Sequence, residues 1–190
     1  VPVRAMWVED GELVFEDVHV DASNGRFVGS VARMYTVKTR RIHNLNQACI
    51  STGNELVPPG AVLGPGQIYD INRFTLAGVV RQHGGEPVDL PTVGDDLEPL
   101  EAAVEAASAF DLAIFSGGSS VGTRDLTAEV LAALDQSRIL VHGVSISPGK
   151  PTILAVCDGK PVVGLPGNPV SALVIAELFV RPMVEAFLGR

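Results

Sequence analysis

Apolar and polar positions alternate at short range from Val1 to Val37, as in Leu13, Phe15, Val18 and Val20, with breaks at Glu9-Asp10-Gly11 and Ser23-Asn24-Gly25. Asn-Gly supplies the positive φ that hairpin turns need, so this stretch predicts a small antiparallel β-rich lobe over residues 1–45. From Gln47 the pattern changes. Ala48–Ile50 is a short apolar run, and Ile71, Phe74, Thr75, Gly78 and Val79 follow at helical spacing up to Gly84-Gly85. Val88–Val93 reads as a strand, Leu97, Leu100, Val104 and Ala107 as a helix face, and Leu112–Phe115 as another strand. Leu126, Val130, Leu131 and Leu134 mark the next helix, and Ile139–Ile146 the next strand. Ile153–Val156 and Pro161–Val163 form a hairpin across Asp158-Gly159, before a helix from Asn168 to about Leu188. Asn168 as N-cap with Pro169 at the first helical position is a favourable start. Strand–loop–helix repetition of this kind predicts an α/β domain over residues 46–190, with a mostly parallel sheet covered on both faces.

Composition narrows the class. With 46% hydrophobic and 19% charged residues in 190, the chain is globular and long enough for one well-cored domain plus a small lobe. A formal charge of -8 argues against nucleic acid and anionic lipid as partners. No apolar run reaches the roughly 20 residues of a membrane span, and no signal-peptide layout opens the chain, so a cytoplasmic location is expected. Cys49 and Cys157 lie in apolar strand-like runs and are expected in the core. The run Lys38, Arg40, Arg41 and His43 reads as a solvated linker. His19, His43 and His83 read as surface or turn residues, and Trp7 as a packing residue of the lobe.

In a parallel sheet the carboxyl ends of strands share one rim, where α/β proteins bind ligands. The loops after Ser51, Val93, Phe115 and Ser147 are expected there, which collects Glu55, Asp95, the loop Ser116-Gly117-Gly118-Ser119-Ser120-Val121-Gly122, Asp125 and Lys150. Glycines in such a loop let backbone N–H groups approach an anion. They also suit a tight turn, and the loop is neither a P-loop nor G-x-G-x-x-G. Asp95 and Asp125 each stand where a helix begins. Each is an N-cap worth about 1 kcal/mol, or the two together offer hard oxygen ligands to Mg²⁺. Glu55 adds a third oxygen ligand or a base, and Lys150 a point charge for phosphate or an oxyanion. Gly118-Ser119-Ser120-Val121-Gly122 also matches the G-x-S-x-G nucleophile elbow. Its triad would require His142, which falls inside a predicted strand, with Asp135 too close before it.

The motifs STGNEL (Ser51–Leu56), GQIYDIN (Gly66–Asn72), VGDD (Val93–Asp96), SGGSSVG with Asp125, SPGKP (Ser147–Pro151) and GLPGNPVSA (Gly164–Ala172) occur in that order. Together they resemble the molybdopterin-binding domain of MoeA-type molybdopterin molybdenumtransferases, which Mog, MoaB and gephyrin-type proteins share. The resemblance runs from about Gln47 to Arg190 and implies a three-layer α/β/α fold. It implies insertion of molybdate into adenylylated molybdopterin with Mg²⁺-assisted loss of AMP. By the same resemblance Asp95, Asp125 and Glu55 are catalytic, with Asp95 and Asp125 as metal ligands. Thr52, Gly53, Ser116, Gly117, Gly118, Ser119, Ser120, Gly122, Lys150, Pro166, Gly167, Asn168 and Ser171 hold the molybdopterin and nucleotide. The expected partners are this pterin, further copies in a homodimer or homotrimer, and a Mog-like adenylyltransferase. A Mog-like adenylyltransferase activity is the alternative, although the usual T-G-G-T-G loop is S-G-G-S-S-V-G here; a noncatalytic molybdopterin-binding module is the other. Full-length MoeA-type chains carry further N-terminal domains and a C-terminal domain. The N-terminal lobe matches those poorly, so the resemblance implies the metal-inserting transferase or its ligand-binding domain alone. Asn54 stands where that family usually has Asp, which lowers the negative charge of the rim.

Overall fold

Three antiparallel strands open the chain, β1 (Pro2–Glu9), β2 (Glu12–Val20) and β3 (Phe27–Lys38), paired in the order β1-β2-β3 with Met6 opposite Phe15. This is the ribbon the alternation predicts. The computed structural model describes residues 2–9, 12–20, 27–38, 45–117 and 125–190, the first three segments as backbone. The Asn24-Gly25 turn, most of the basic run, and Gly118 to Arg124 lie outside the described residues.

The α/β part begins with β4 (Asn46–Ser51), continues through the short pair β5 (Leu56–Val57) and β6 (Ile68–Tyr69), then α1 (Asn72–Gln82) and β7 (Glu86–Asp89). It goes on with α2 (Leu97–Ala107), β8 (Leu112–Ser116), α3 (Leu126–Ala133) and β9 (Ser137–His142). The hairpin β10 (Ile153–Cys157) and β11 (Lys160–Leu165) leads to α4 (Pro169–Ile175), a π-helical turn (Ala176–Val180) and α5 (Arg181–Phe187). Asp158 and Gly159 turn the hairpin with φ of 50° and 72°, the positive pair that a two-residue loop demands.

Six strands form the central sheet in the order β7-β4-β8-β11-β10-β9. All but β10 run in one direction, because β10 pairs antiparallel with both its neighbours while the other three pairings are parallel. Every side chain of β8 is buried, which is why its sequence reads as an unbroken apolar run. Leu112 and Ile114 face a core shared with α1, α4 and α5, through Leu76, Val80, Ile175 and Val184. Ala113 and Phe115 face a second core with Leu100 and Val104 of α2 and Leu131 of α3. The fold is therefore a three-layer α/β/α arrangement.

Several boundaries differ from the sequence expectation. β7 ends at Asp89 rather than Val93, since Pro91 has no N–H for the ladder; Val93 rejoins as an isolated parallel bridge to Thr52. β9 ends at His142, where Gly143 turns at φ 86°. The last helix is interrupted because Pro182 cannot donate to the preceding turn, and the wider π turn just before it absorbs the missing bond. α1 is rolled relative to the expected face: Leu76, Ala77, Val79 and Val80 are buried, while Ile71 is 48% and Phe74 58% exposed. Burying Leu76 and Val80 removes more apolar surface than burying Thr75 and Gly78, and it carries Asn72 inward. His83 is also more enclosed than expected, with its side chain 11% exposed between Glu185 at 3.2 Å and Glu177 at 3.7 Å.

Candidate functional site at the carboxyl rim of the sheet

The carboxyl ends of β4, β8, β11 and β9 open on the same rim, as parallel direction requires. At its centre, Thr52 N–H donates to Ser116 O at 2.9 Å and Gly117 N–H donates to Leu165 O at 3.1 Å, so three strand ends are tied together just beyond the sheet. Gly117 has φ 104°, and a Cβ there would meet Thr52 O at 2.2 Å. Only glycine fits. Gly167, from the loop after β11, comes in from the other side, its own Cβ direction pointing at Gly117 Cα from 3.5 Å.

Beneath this junction the Asn72 amide donates to Ser116 Oγ at 2.7 Å and to Gly167 O at 2.9 Å. Asn72 is the first residue of α1, and the GQIYDIN segment shows it only as a helix start. Its inward role needs tertiary contact to see. Asn72 Oδ1 and Thr52 Oγ1 are buried at the rim without a hydrogen-bond partner among the described residues. A cleft of about 390 Å³ adjoins Asn72, lined by Leu56, Ile68, Tyr69, Asp70, Asn72 and Gly167 among others.

On the β4 side, Gly53 N–H donates to Val93 O at 3.0 Å, which draws the Gly94-Asp95 corner beside Asn54. Asn54 N–H donates to Asp95 Oδ2 at 3.3 Å and Asp95 N–H to Asn54 Oδ1 at 3.2 Å. An amide at position 54 makes this reciprocal clamp without a like charge next to Asp95. Asp95 is consequently not the helix cap; Asp96 occupies the N-cap position of α2, without a side-chain cap bond. Glu55 is exposed, its carboxylate folded over Gly53 Cα.

On the β9 side, Asp125 caps α3, accepting from Ala128 N–H at 3.1 Å. Its second oxygen accepts from His142 Nε2–H at 2.9 Å. His142 thus ends its strand at the rim and is not held inside it. Lys150 is exposed, on a loop closed by Val144 N–H to Lys150 O at 2.9 Å. Asn168 caps α4 as expected, accepting from Val170 and Ser171 N–H, and Ser171 Oγ donates to the same oxygen at 3.3 Å. Pro166 is buried behind it. Gly118, Ser119, Ser120 and Gly122 fall outside the described residues.

The donor chemistry fits the hard cation expected here. Mg²⁺ takes one or two carboxylates and completes its shell with water and phosphate oxygens, and α2 and α3, which begin beside Asp95 and at Asp125, pack against each other. Among the described residues, no group of three or more His, Cys, Asp and Glu side chains converges into a protein-only metal cage. Both helices also turn the positive ends of their dipoles to this rim.

A three-layer α/β domain with its ligand rim at a glycine junction is the class that the geometry defines. Residues 48–186 match the family model described as "Probable molybdopterin binding domain", and the chain belongs to that family. It is 42% identical over 146 residues to a molybdopterin molybdenumtransferase 2 of Mycobacterium tuberculosis, covering 74% of this chain and 36% of the relative. It is 37% identical over 205 residues to a molybdopterin molybdenumtransferase of Haemophilus influenzae, covering 96% of this chain and 50% of the relative. Among solved structures, a molybdopterin biosynthesis MoeA protein from Pyrococcus horikosii superposes with a TM-score of 0.69 at 45% identity, covering 77% of this chain and 36% of that one. The chain spans between a third and a half of the length of these relatives.

Proposed function

We propose that residues 46–190 bind adenylylated molybdopterin at the carboxyl rim and serve insertion of molybdate with release of AMP, a step of molybdenum cofactor biosynthesis. The observation that carries this reading is the placement of Asp95 and Asp125 beside the starts of two packed helices, on the rim where Gly117 joins three strand ends. The names of the relatives at 37–42% identity support it independently.

In this reading the backbone around Thr52, Gly53 and Gly117, with the loop 118–122, receives the anionic pterin phosphate and nucleotide, and Lys150 offsets their charge. Ser116 and Asn72 fix the floor of the site, while Asn168 and Ser171 hold Gly167 in place through the start of α4. Asp95 and Asp125 would hold Mg²⁺, which when bound neutralises phosphate oxygens. Glu55, exposed beside Gly53, would take a proton in this reading. Held dipoles and charges of this kind lower a barrier mainly by positioning and by stabilising developing charge.

The test is AMP release from adenylylated molybdopterin with molybdate and Mg²⁺. Release by the wild-type chain, lost on the order of 100-fold in Asp95→Asn and Asp125→Asn with unchanged unfolding midpoints, is the expected result. Binding without release assigns the chain to the ligand domain alone. Absence of binding refutes the reading, and ATP consumption with free molybdopterin would replace it by adenylyltransferase activity.

A further inference from the structure

The contact between His142 and Asp125 depends on a defect in the sheet. Along β9, Val141 pairs with Leu154 and Ile139 pairs with Ala155, so the register shifts by one residue at Leu140. This is a β-bulge, and a bulge reverses the faces to which subsequent side chains point. The two cores record the reversal. Ile139 packs against the α2/α3 core, whereas Leu140 and Val141, consecutive in sequence, both enter the α1/α4/α5 core. His142 then returns to the α2/α3 side, opposite Ile153, whose side chain belongs to that same core. Strict alternation from Ile139 would have turned His142 to the opposite face, away from α3.

With the bulge, the ring meets Asp125. Gly143 turns at φ 86° and its N–H donates to Thr152 O at 2.8 Å, so the backbone that carries the imidazole is fixed on both sides. Asp125 then has each oxygen held by a different group, Oδ1 by Ala128 N–H of α3 and Oδ2 by His142 Nε2–H of β9. Two donors from separate elements stop the carboxylate from rotating about its χ angles. Each oxygen keeps a lone pair that neither donor uses. The Asp125 side chain is 20% exposed and His142 53%, so the held carboxylate still faces the rim.

We propose that His142, aimed by the Leu140 bulge, is a positioning residue for Asp125, fixing that carboxylate in the orientation in which it meets the ligand. Its functional weight rests on the reading of Asp125 given above, while the contact itself does not. An imidazole on a carboxylate from a neighbouring element is the arrangement by which second-layer groups elsewhere orient a working side chain, and their loss typically costs 10- to 100-fold in affinity or activity.

The experiment uses the full chain and three variants, His142→Ala, His142→Gln and Asp125→Asn. The Asp125 carboxyl ¹³C resonance, assigned by its disappearance in Asp125→Asn, and the Ala128 amide resonance are recorded without ligand. Affinity for adenylylated molybdopterin is measured in parallel. His142→Ala is expected to move both resonances and weaken binding about tenfold, and His142→Gln, which keeps an N–H donor of similar reach, to restore both. Unmoved resonances in His142→Ala overturn the contact. Moved resonances with undiminished affinity, in a protein whose binding Asp125→Asn abolishes, overturn the positioning role. Binding indifferent to Asp125→Asn removes the reading of Asp125 instead, and the resonances still decide the contact.

Discussion

A Cβ on Gly117 would stand 2.2 Å from the carbonyl oxygen of Thr52, whereas a Cβ on Gly167, a few ångströms away, would meet Gly117 Cα at an ordinary 3.5 Å. The two glycines at one junction are therefore not equivalent. Gly117→Ala adds a backbone clash and a left-handed φ of 104°, and is expected to cost at least ~3 kcal/mol and to open the rim. Gly167→Ala is expected to stay within about 1 kcal/mol of wild type. Urea unfolding of the two variants side by side checks the contrast.

Asn72 bridges Ser116 Oγ and Gly167 O from beneath the same junction. Asn72→Ala leaves both oxygens without this donor, for an expected loss of about 1–3 kcal/mol. Asn72→Asp is expected to be worse, because it buries a charge and sets a carboxylate against the Gly167 carbonyl, which can only accept, even though the Ser116 hydroxyl can turn to donate to it. Differential unfolding midpoints, with Asn72→Asp the lowest, would bear this out.

Gln47 is fully buried in β4, and neither its Nε2 nor its Oε1 has a hydrogen-bond partner among the described residues. A buried amide in that state is a net cost, and methionine fills nearly the same volume without it. Gln47→Met is expected to raise stability by about 1–2 kcal/mol, seen as a higher urea midpoint at unchanged m value.

Burial, with the Asp89 carboxylate adding to it and Arg81 pulling the other way, pushes the Cys49 thiol up from 9.0 to about 12. The folded chain then keeps a proton that the unfolded chain loses, so stability present below pH 9 declines as pH rises towards 12. Cys49→Ala is less stable at neutral pH for want of packing, but has no thiol to titrate. The gap between wild type and Cys49→Ala is expected to narrow steadily above pH 9, by up to ~1.4 kcal/mol per pH unit. A constant gap from pH 7 to pH 10.5 would contradict it. Slow alkylation of Cys49 at neutral pH follows from the same shift.

Much of this architecture is legible in the chain itself. The Leu112–Phe115 run, the Asp158-Gly159 turn and the Asn168-Pro169 helix start all appear where residue chemistry puts them. The ordered motifs correctly indicated the family. The local pattern was less informative where an element had a choice of faces. α1 offers apolar residues around most of its circumference, and only packing against the sheet and α4 selects Leu76 and Val80 over Ile71 and Phe74.

What residue order determined by itself was the succession of strands, loops and helices and the side chains delivered to each strand end, because caps, turns and apolar periodicity act over a few neighbouring residues. Tertiary structure alone decided which of those side chains meet. Asn54 clamps Asp95 across 41 residues of chain, Asn72 reaches Ser116 across 44, and His142 reaches Asp125 only because a one-residue register shift at Leu140 in β9 turns it over. Register between distant strands is set by the summed packing of both sheet faces, and no short window of sequence carries that sum.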